Sequence, residues 1–296
     1  NGCHVFLSAF LRTHYLYNMR KTINKQMKSL MALLVCFAIL TPSFGQTLSS
    51  LRKNTDGWYV ITSDADFEQF RDSVVGIGNP YANALLTADV TVNKPIGMGG
   101  EQFHYRGTFD GQGHTITLAN MSNTSETSSP WGLFQNTKPG CVIRNLKVSG
   151  KIQSPHPYIG SIVGDATSTK IENCISDVTV ESTLNNTQTT NIYGDGVGGI
   201  LGVSHGENFI ENCAFIGTIK ALNGATTRGI VGTNIHMVNI KSCYVMAKFE
   251  VSQSPSHDQF TDYRYAKYHT FLNNYYCKAD GYEVSTQNSA NEVTTT

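Results

Sequence analysis

Asp110, Asp165, Asp177 and Asp195 are the side chains of this 296-residue chain with most scope for acid–base chemistry on a bound sugar. Glycoside hydrolysis needs two carboxylates within reach of one bond. Asp165 and Asp195 lie near glycine turns of successive repeats, where they can approach each other. Asp110 sits in the turn Gly107-Thr-Phe-Asp110-Gly111-Gln-Gly113, and its reading is structural: a carboxylate that accepts backbone N–H groups there. His104 and His114 flank that turn and read as exposed strand residues, with no His/Cys spacing of a zinc site. A lyase built on calcium would need a carboxylate cluster, and none falls within one repeat. Gly194-Asp-Gly-Val-Gly198 leads into a strand, so a phosphate-binding role fails on context. No catalytic residue, metal or cofactor is therefore assigned.

Aromatic side chains in long connections are the better candidates for binding. Tyr158 follows Pro155-His-Pro157. Tyr193 lies in the polar Thr/Asn/Gln segment 181–196, and Tyr263, Arg264, Tyr265 and Tyr268 lie in segment 252–270. Loops on a rigid scaffold are where recognition residues concentrate. Aromatics with nearby amides suit an extracellular glycan or a surface protein; packing back onto the scaffold is the alternative.

The scaffold is a repeat. Ile143-Arg-Asn145-Leu146, Ile171-Glu-Asn173-Cys174, Ile210-Glu-Asn212-Cys213, Ile240-Lys-Ser242-Cys243 and Leu272-Asn-Asn274-Tyr275 align at their starts. A glycine motif precedes four of them: Gly132-Leu-Phe-Gln135, Ile162-Val-Gly164, Gly199-Ile-Leu-Gly202 and Gly229-Ile-Val-Gly232. Period-two alternation follows each anchor, as in Cys213, Phe215, Gly217, Ile219 and Ala221, which marks a strand with one buried face. A unit of short strands cannot bury its face alone, so the units stack. Fixed motifs at unequal spacing mean loops of different length inserted on one side. The expected fold is all-β, a right-handed parallel β-helix. Asn145, Asn173, Asn212 and Asn274 would form an amide ladder with a gap at Ser242. Cys174, Cys213 and Cys243 would form an interior file of reduced thiols.

The ends read differently. Residues 1–18 are set aside as upstream sequence. Residues 19–45 have the basic, apolar and small-residue order of a signal peptide, with Met19 or Met27 as the start. The apolar run is too short to span a bilayer. Without residues 1–45 the chain keeps 17 basic (22 less Arg12, Arg20, Lys21, Lys25 and Lys28) and 22 acidic side chains. No basic stripe argues for nucleic acid. Residues 46–100 form an N-terminal cap whose helix, 64–75, has Phe67, Phe70 and Val74 on one face and lies over the first coil. Ala84–Val92 reads as one strand. Repeats fill 101–280, and 281–296 is a tail.

Gly107-Thr-Phe-Asp110-Gly111-Gln-Gly113-His114-Thr-Ile116, then Gly132-Leu-Phe, then Val142-Ile-Arg-Asn145-Leu146 resembles the GLUG-motif β-helix proteins exported by bacteria. The likeness covers about residues 57–277, and the signal resembles those of Bacteroidota. Gln135 and Ser161 depart from it, each where the family has a glycine. The resemblance implies a secreted or cell-surface, adhesin-like module without catalysis. The runner-up is a polysaccharide lyase or glycoside hydrolase of the pectin-lyase-like kind. His205-Gly206 matches one fragment of a polygalacturonase pattern, but the paired aspartates that should precede it are missing.

Overall fold

The computed structural model describes residues 51–124, 130–184, 196–221, 225–251, 260–261, 270–277 and 291–293. The signal-like segment and most of the tail lie outside them. The architecture is all-β and its sheets are parallel. One sheet of eight strands runs Tyr59–Ile61, Ala84–Leu86, Thr108–Asp110, Val142–Arg144, Lys170–Glu172, Asn208–Glu211, Val238–Lys241 and Thr270–Leu272. A second sheet, of ten strands, runs from Val90–Val92 through Thr115–Ser122, Lys147–Ser154 and Ile175–Ser182 to Asn291–Val293. A sheet of four holds Phe134–Thr137, Val163–Thr167, Leu201–His205 and Val231–Asn234, and one of three holds Tyr158–Gly160, Gly196–Gly198 and Thr227–Arg228. From Val142 to Val251 the chain visits the sheets in one recurring order (eight-, ten-, three- and four-stranded), and each strand there pairs with its equivalent in the next repeat.

The alternation read from the sequence decides what faces inward. Ser176, Val178 and Val180 are buried, while Asp177 and Glu181 face solvent. Ile143, Ile171, Ile210 and Ile240 form one buried column in register. Leu133, Ile162, Ile200 and Ile230 are all buried in the same core. The glycine motif forms a sharp corner between two strands whose backbones touch. A Cβ on Gly160 would meet Val163 O at 2.2 Å, and one on Gly202 would meet Gly164 O at 2.5 Å. Ser161 stands at the corner where the next pass has Gly199. Its hydroxyl bonds the Ser176 hydroxyl at 2.7 Å and the Gly199 carbonyl. In that next pass Phe215 takes the place of Ser176, and a Cβ on Gly199 would lie 2.4 Å from its ring. Two small hydroxyls in one layer thus match a glycine and a phenyl ring in the next. The departure at Ser161 thus introduces an interior hydrogen bond.

Three expectations need correction. Ala84–Val92 is two strands in different sheets, because the chain turns at Thr87–Asp89, where Asp89 Oδ1 accepts the Thr115 N–H at 2.8 Å. Strands before residue 100 join the same sheets, and Ile96 bridges Phe134, so the edge expected at 100–101 falls inside a pass of the chain. The fifth repeat is read one residue late. Ile240 pairs with Phe271 and Tyr244 with Tyr275, which puts Asn273 opposite Ser242 and Asn274 opposite Cys243.

The N-terminal helix begins with Ser63 as its cap and runs Asp64–Gln69, then widens into a π turn, Phe70–Val75. Phe67 and Phe70 are fully buried and meet Phe109 at ring-centroid distances of 6.4 and 6.3 Å. Phe70 also meets Tyr105 at 6.2 Å. The helix thus presses its apolar face on the first strands of the stack. No helix among the described residues is long and apolar enough to cross a membrane.

Candidate functional site

The asparagine column is a turn before it is a ladder. Asn145, Asn173, Asn212, Ser242 and Asn273 have φ between 52° and 56°, the left-handed region where asparagine is tolerated better than most residues. Their backbone N–H groups bond forward along the stack: Asn145 to Glu172 O (3.1 Å), Asn173 to Glu211 O (3.0 Å), Asn212 to Lys241 O (3.0 Å) and Ser242 to Leu272 O (2.8 Å). Side-chain bonds join only the first steps, from Asn145 Nδ2 to Asp110 Oδ1 (3.0 Å) and from Asn173 Nδ2 to Asn145 Oδ1 (3.2 Å).

The thiol file is interior. Cys174, Cys213 and Cys243 are fully buried and free, and so is Cys141 at 1% exposure. Each Sγ of the three leans on backbone carbonyls, as Cys213 does on Glu211 O at 3.2 Å. Burial pushes the Cys213 and Cys243 thiols well above their ordinary range, so the reactive thiolate is disfavoured. Asn274 ends this file. Its Oδ1 accepts the Cys243 N–H at 2.9 Å and its Nδ2 donates to Ile240 O at 2.7 Å.

Asp110 is committed to its turn. It is 3% exposed, its Oδ1 accepts the Gln112 N–H at 2.9 Å, and its Oδ2 accepts Arg144 Nε at 2.9 Å. Asp177 is exposed on the outer face of the ten-stranded sheet, and Asp195 lies outside the described residues. His114 is half-buried rather than exposed, its Nδ1 3.1 Å from Asp89 Oδ1. His104 is also half-buried, in the bend after Glu101–Phe103, where burial and the nearby Lys138 charge lower its basicity.

Asp165 is different. Its Oδ1 is buried without a hydrogen-bond partner. Its Oδ2 lies 3.7 Å from His205 Nε2, on the adjacent pass. Burial raises the carboxyl above its usual value, against the opposing charges of His205 and Lys138. Among the described residues no group of three or more His, Cys, Asp or Glu could hold a metal ion.

The loop candidates are positioned by the ends of long strands. Ser154, Ser182 and Ala221 are in register, and so are Tyr158, Gly196 and the residue before Thr227. The connections between these two lines are residues 155–157, 183–195 and 222–225. The step from Ile143 to Ile171 is 28 residues and that from Ile171 to Ile210 is 39. Ten of the extra eleven residues lie in 183–195 against 155–157; the other lies between His205 and Ile210. Length variation thus collects along one line. Tyr158 sits there, half-buried, its ring 5.7 Å from His156 and its N–H donated to His156 Nδ1 at 3.1 Å. Burial lowers the His156 pKa to about 4. Tyr193, Tyr263, Arg264, Tyr265 and Tyr268 lie outside the described residues.

No family model and no curated relative matches the chain by sequence. Among solved structures it is similar to the crystal structure of a "putative immunoglobulin A1 protease" from Bacteroides ovatus. The match has a TM-score of 0.52 at 16% identity and covers 82% of this chain and 85% of that one. At that identity the likeness is one of fold.

Proposed function

We propose that the chain winds as a right-handed parallel β-helix of the GLUG-motif kind and acts as an exported, non-catalytic binding module. It is adhesin-like, displayed at the cell surface or secreted. Its loops engage an extracellular glycan or a surface protein. The observation that carries this reading is the single line of strand ends from which loops of three, thirteen and four residues leave. Such an arrangement keeps the core register constant while the recognition surface varies. The recurring order of parallel strands from Val142 to Val251 supports the solenoid. The Asp165–His205 contact favours a second reading, a polysaccharide-cleaving enzyme. Asp110 is tied to Arg144 and Asn145, so it offers no free second carboxylate.

A glycan array with the full chain tests the binding reading, followed by Tyr158→Ala and a Tyr263→Ala/Tyr265→Ala pair. Retained ligands that lose affinity in either variant support it. Binding unchanged by both sinks the loop assignment. Release of reducing ends from a panel of polysaccharides would favour the enzyme instead.

A further inference from the structure

A different edge of the molecule carries a second set of polar groups. Thr137, Ala166, Ser204 and Asn234 are in register and fully buried or nearly so. The residue after each is only partly buried, and so lies on the outer side. That outward line reads Lys138, Thr167, His205 and Ile235, with His236 next and its ring centroid 6.1 Å from that of His205. One position earlier lies the line Asn136, Asp165, Val203 and Thr233, and the Tyr105–Thr137 bridge places His104 at its start.

Two groups in this place are left unmet. Asp165 Oδ1 and His104 Nδ1 are buried without a hydrogen-bond partner. Buried polar atoms are paired in nearly all cases, so each such exception calls for a reason. The Asp165 side chain keeps 21% of its surface exposed, and none of that is on Oδ1. Its remaining capacity to accept therefore lies at Oδ2, beside His205. Lys138 acts on both His104 and Asp165 by its charge. The place offers an acceptor, Asp165 Oδ2, with the His205 imidazole 3.7 Å away and the Lys138 ammonium near enough to act on it by charge. A simple anion would be repelled by the carboxylate, and a neutral sugar would leave the ammonium unused.

We infer that Lys138, Asp165 and His205 form a subsite for an acidic sugar unit, which sets its carboxylate on Lys138 and His205 and donates a hydroxyl to Asp165. This rests on the glycan reading of the molecule but uses an edge other than the loops. The other titratable groups in the neighbourhood are His236, beside His205, and His104, whose protonation burial opposes. Glu207 accepts Asn239 Nδ2 at 3.2 Å.

The test is titration calorimetry of the full chain with an oligosaccharide carrying glucuronate, against the same oligosaccharide carrying glucose and against polyphosphate. Lys138→Met and His205→Gln should each weaken glucuronate binding about tenfold, the scale of one charge-assisted hydrogen bond. Asp165→Asn decides between sources of affinity. A merely electrostatic patch would bind an anion more tightly once that negative charge is gone. The subsite instead predicts a loss, because the hydroxyl acceptor is weakened. Tighter binding by Asp165→Asn, or polyphosphate binding as well as glucuronate, overturns the subsite. So does glucose-form binding equal to glucuronate-form binding that Tyr158→Ala abolishes, and that outcome leaves the loop reading standing. Binding of neither oligosaccharide defeats the subsite, and the array result then decides the loop reading separately.

Discussion

Replacing Asn212 by glycine tests what the asparagine column is for. The Asn212 φ is 54°, and its forward bond to Lys241 O is made by the backbone N–H, which any residue but proline would keep. Among the described residues its side-chain amide makes no hydrogen bond to another side chain. Glycine enters the left-handed region without the roughly 1 kcal/mol or more that a Cβ costs there. Asn212→Gly should therefore match or slightly exceed the wild type, while Asn212→Ala should lose about 1 kcal/mol. Asn145 has the same backbone but two side-chain bonds, to Asp110 and Asn173. Removing them leaves the buried Asp110 carboxylate short of a donor. Asn145→Gly should lose about 1–2 kcal/mol on balance. Urea unfolding followed by circular dichroism measures all three, and in a domain of this size each 1 kcal/mol moves the melting midpoint by about 2–4 °C. If Asn212→Gly falls as far as Asn145→Gly, the column is an amide ladder after all and the conformational argument is wrong.

Further outcomes follow from other positions. Cys213→Asp should cost several kcal/mol, because it buries an unpaired charge in a fully enclosed site; wild-type melting would contradict the inward assignment. Cys141, Cys174, Cys213 and Cys243 should react with a thiol reagent only after denaturation, and a native count equal to the denatured one would refute their burial. His156 has a folded pKa below its ordinary value, so the stability it contributes is full above about 6.5 and is lost as pH falls toward about 4. His156→Gln should flatten that window in melts across pH, and an unchanged slope would refute the argument. Asp165 has the opposite sign: its raised folded pKa favours folding below the unfolded value near 3.8, and that contribution fades as pH rises through the folded value. Asp165→Asn should gain on the wild type as pH climbs from 4 to 7; a constant difference would argue against a penalised carboxylate.

The parallel sheets were legible because the alternation after each anchor is a physical requirement of one buried face, and it recurs in Cys174–Val180, Cys213–Ala221 and Cys243–Val251. The fifth repeat slipped by one because Asn273 and Asn274 are the same residue type with opposite duties, one in an exposed turn and one in the core. The backbone pairing of Ile240 with Phe271 is what fixes the register, and it leaves Leu272 47% exposed. The turn at Thr87–Asp89 was hidden by the apolar run around it, and only the distant Thr115 N–H reveals why Asp89 breaks the strand. Asp165 and His205 each stood out, but their meeting depends on the pairing of Thr167 with His205, which no local pattern announces. Tyr158 was read as a loop aromatic but opens the strand Tyr158–Gly160, and its contact with His156 was not legible because the bond runs from backbone to ring.

The line of strand ends has a consequence for how such a chain can change. A residue added between Ser182 and Gly196 alters nothing in the pairing of Val180 with Ile152 on one side or Ile219 on the other. Insertions there are invisible to the core, so selection can lengthen, shorten or exchange one segment without retuning its neighbours. Neighbouring segments are rooted one strand spacing apart, about 4.8 Å, so each new length stands directly beside the ones above and below it. The pairing is in that sense a fixed spine, and the segments rooted on it can change length independently.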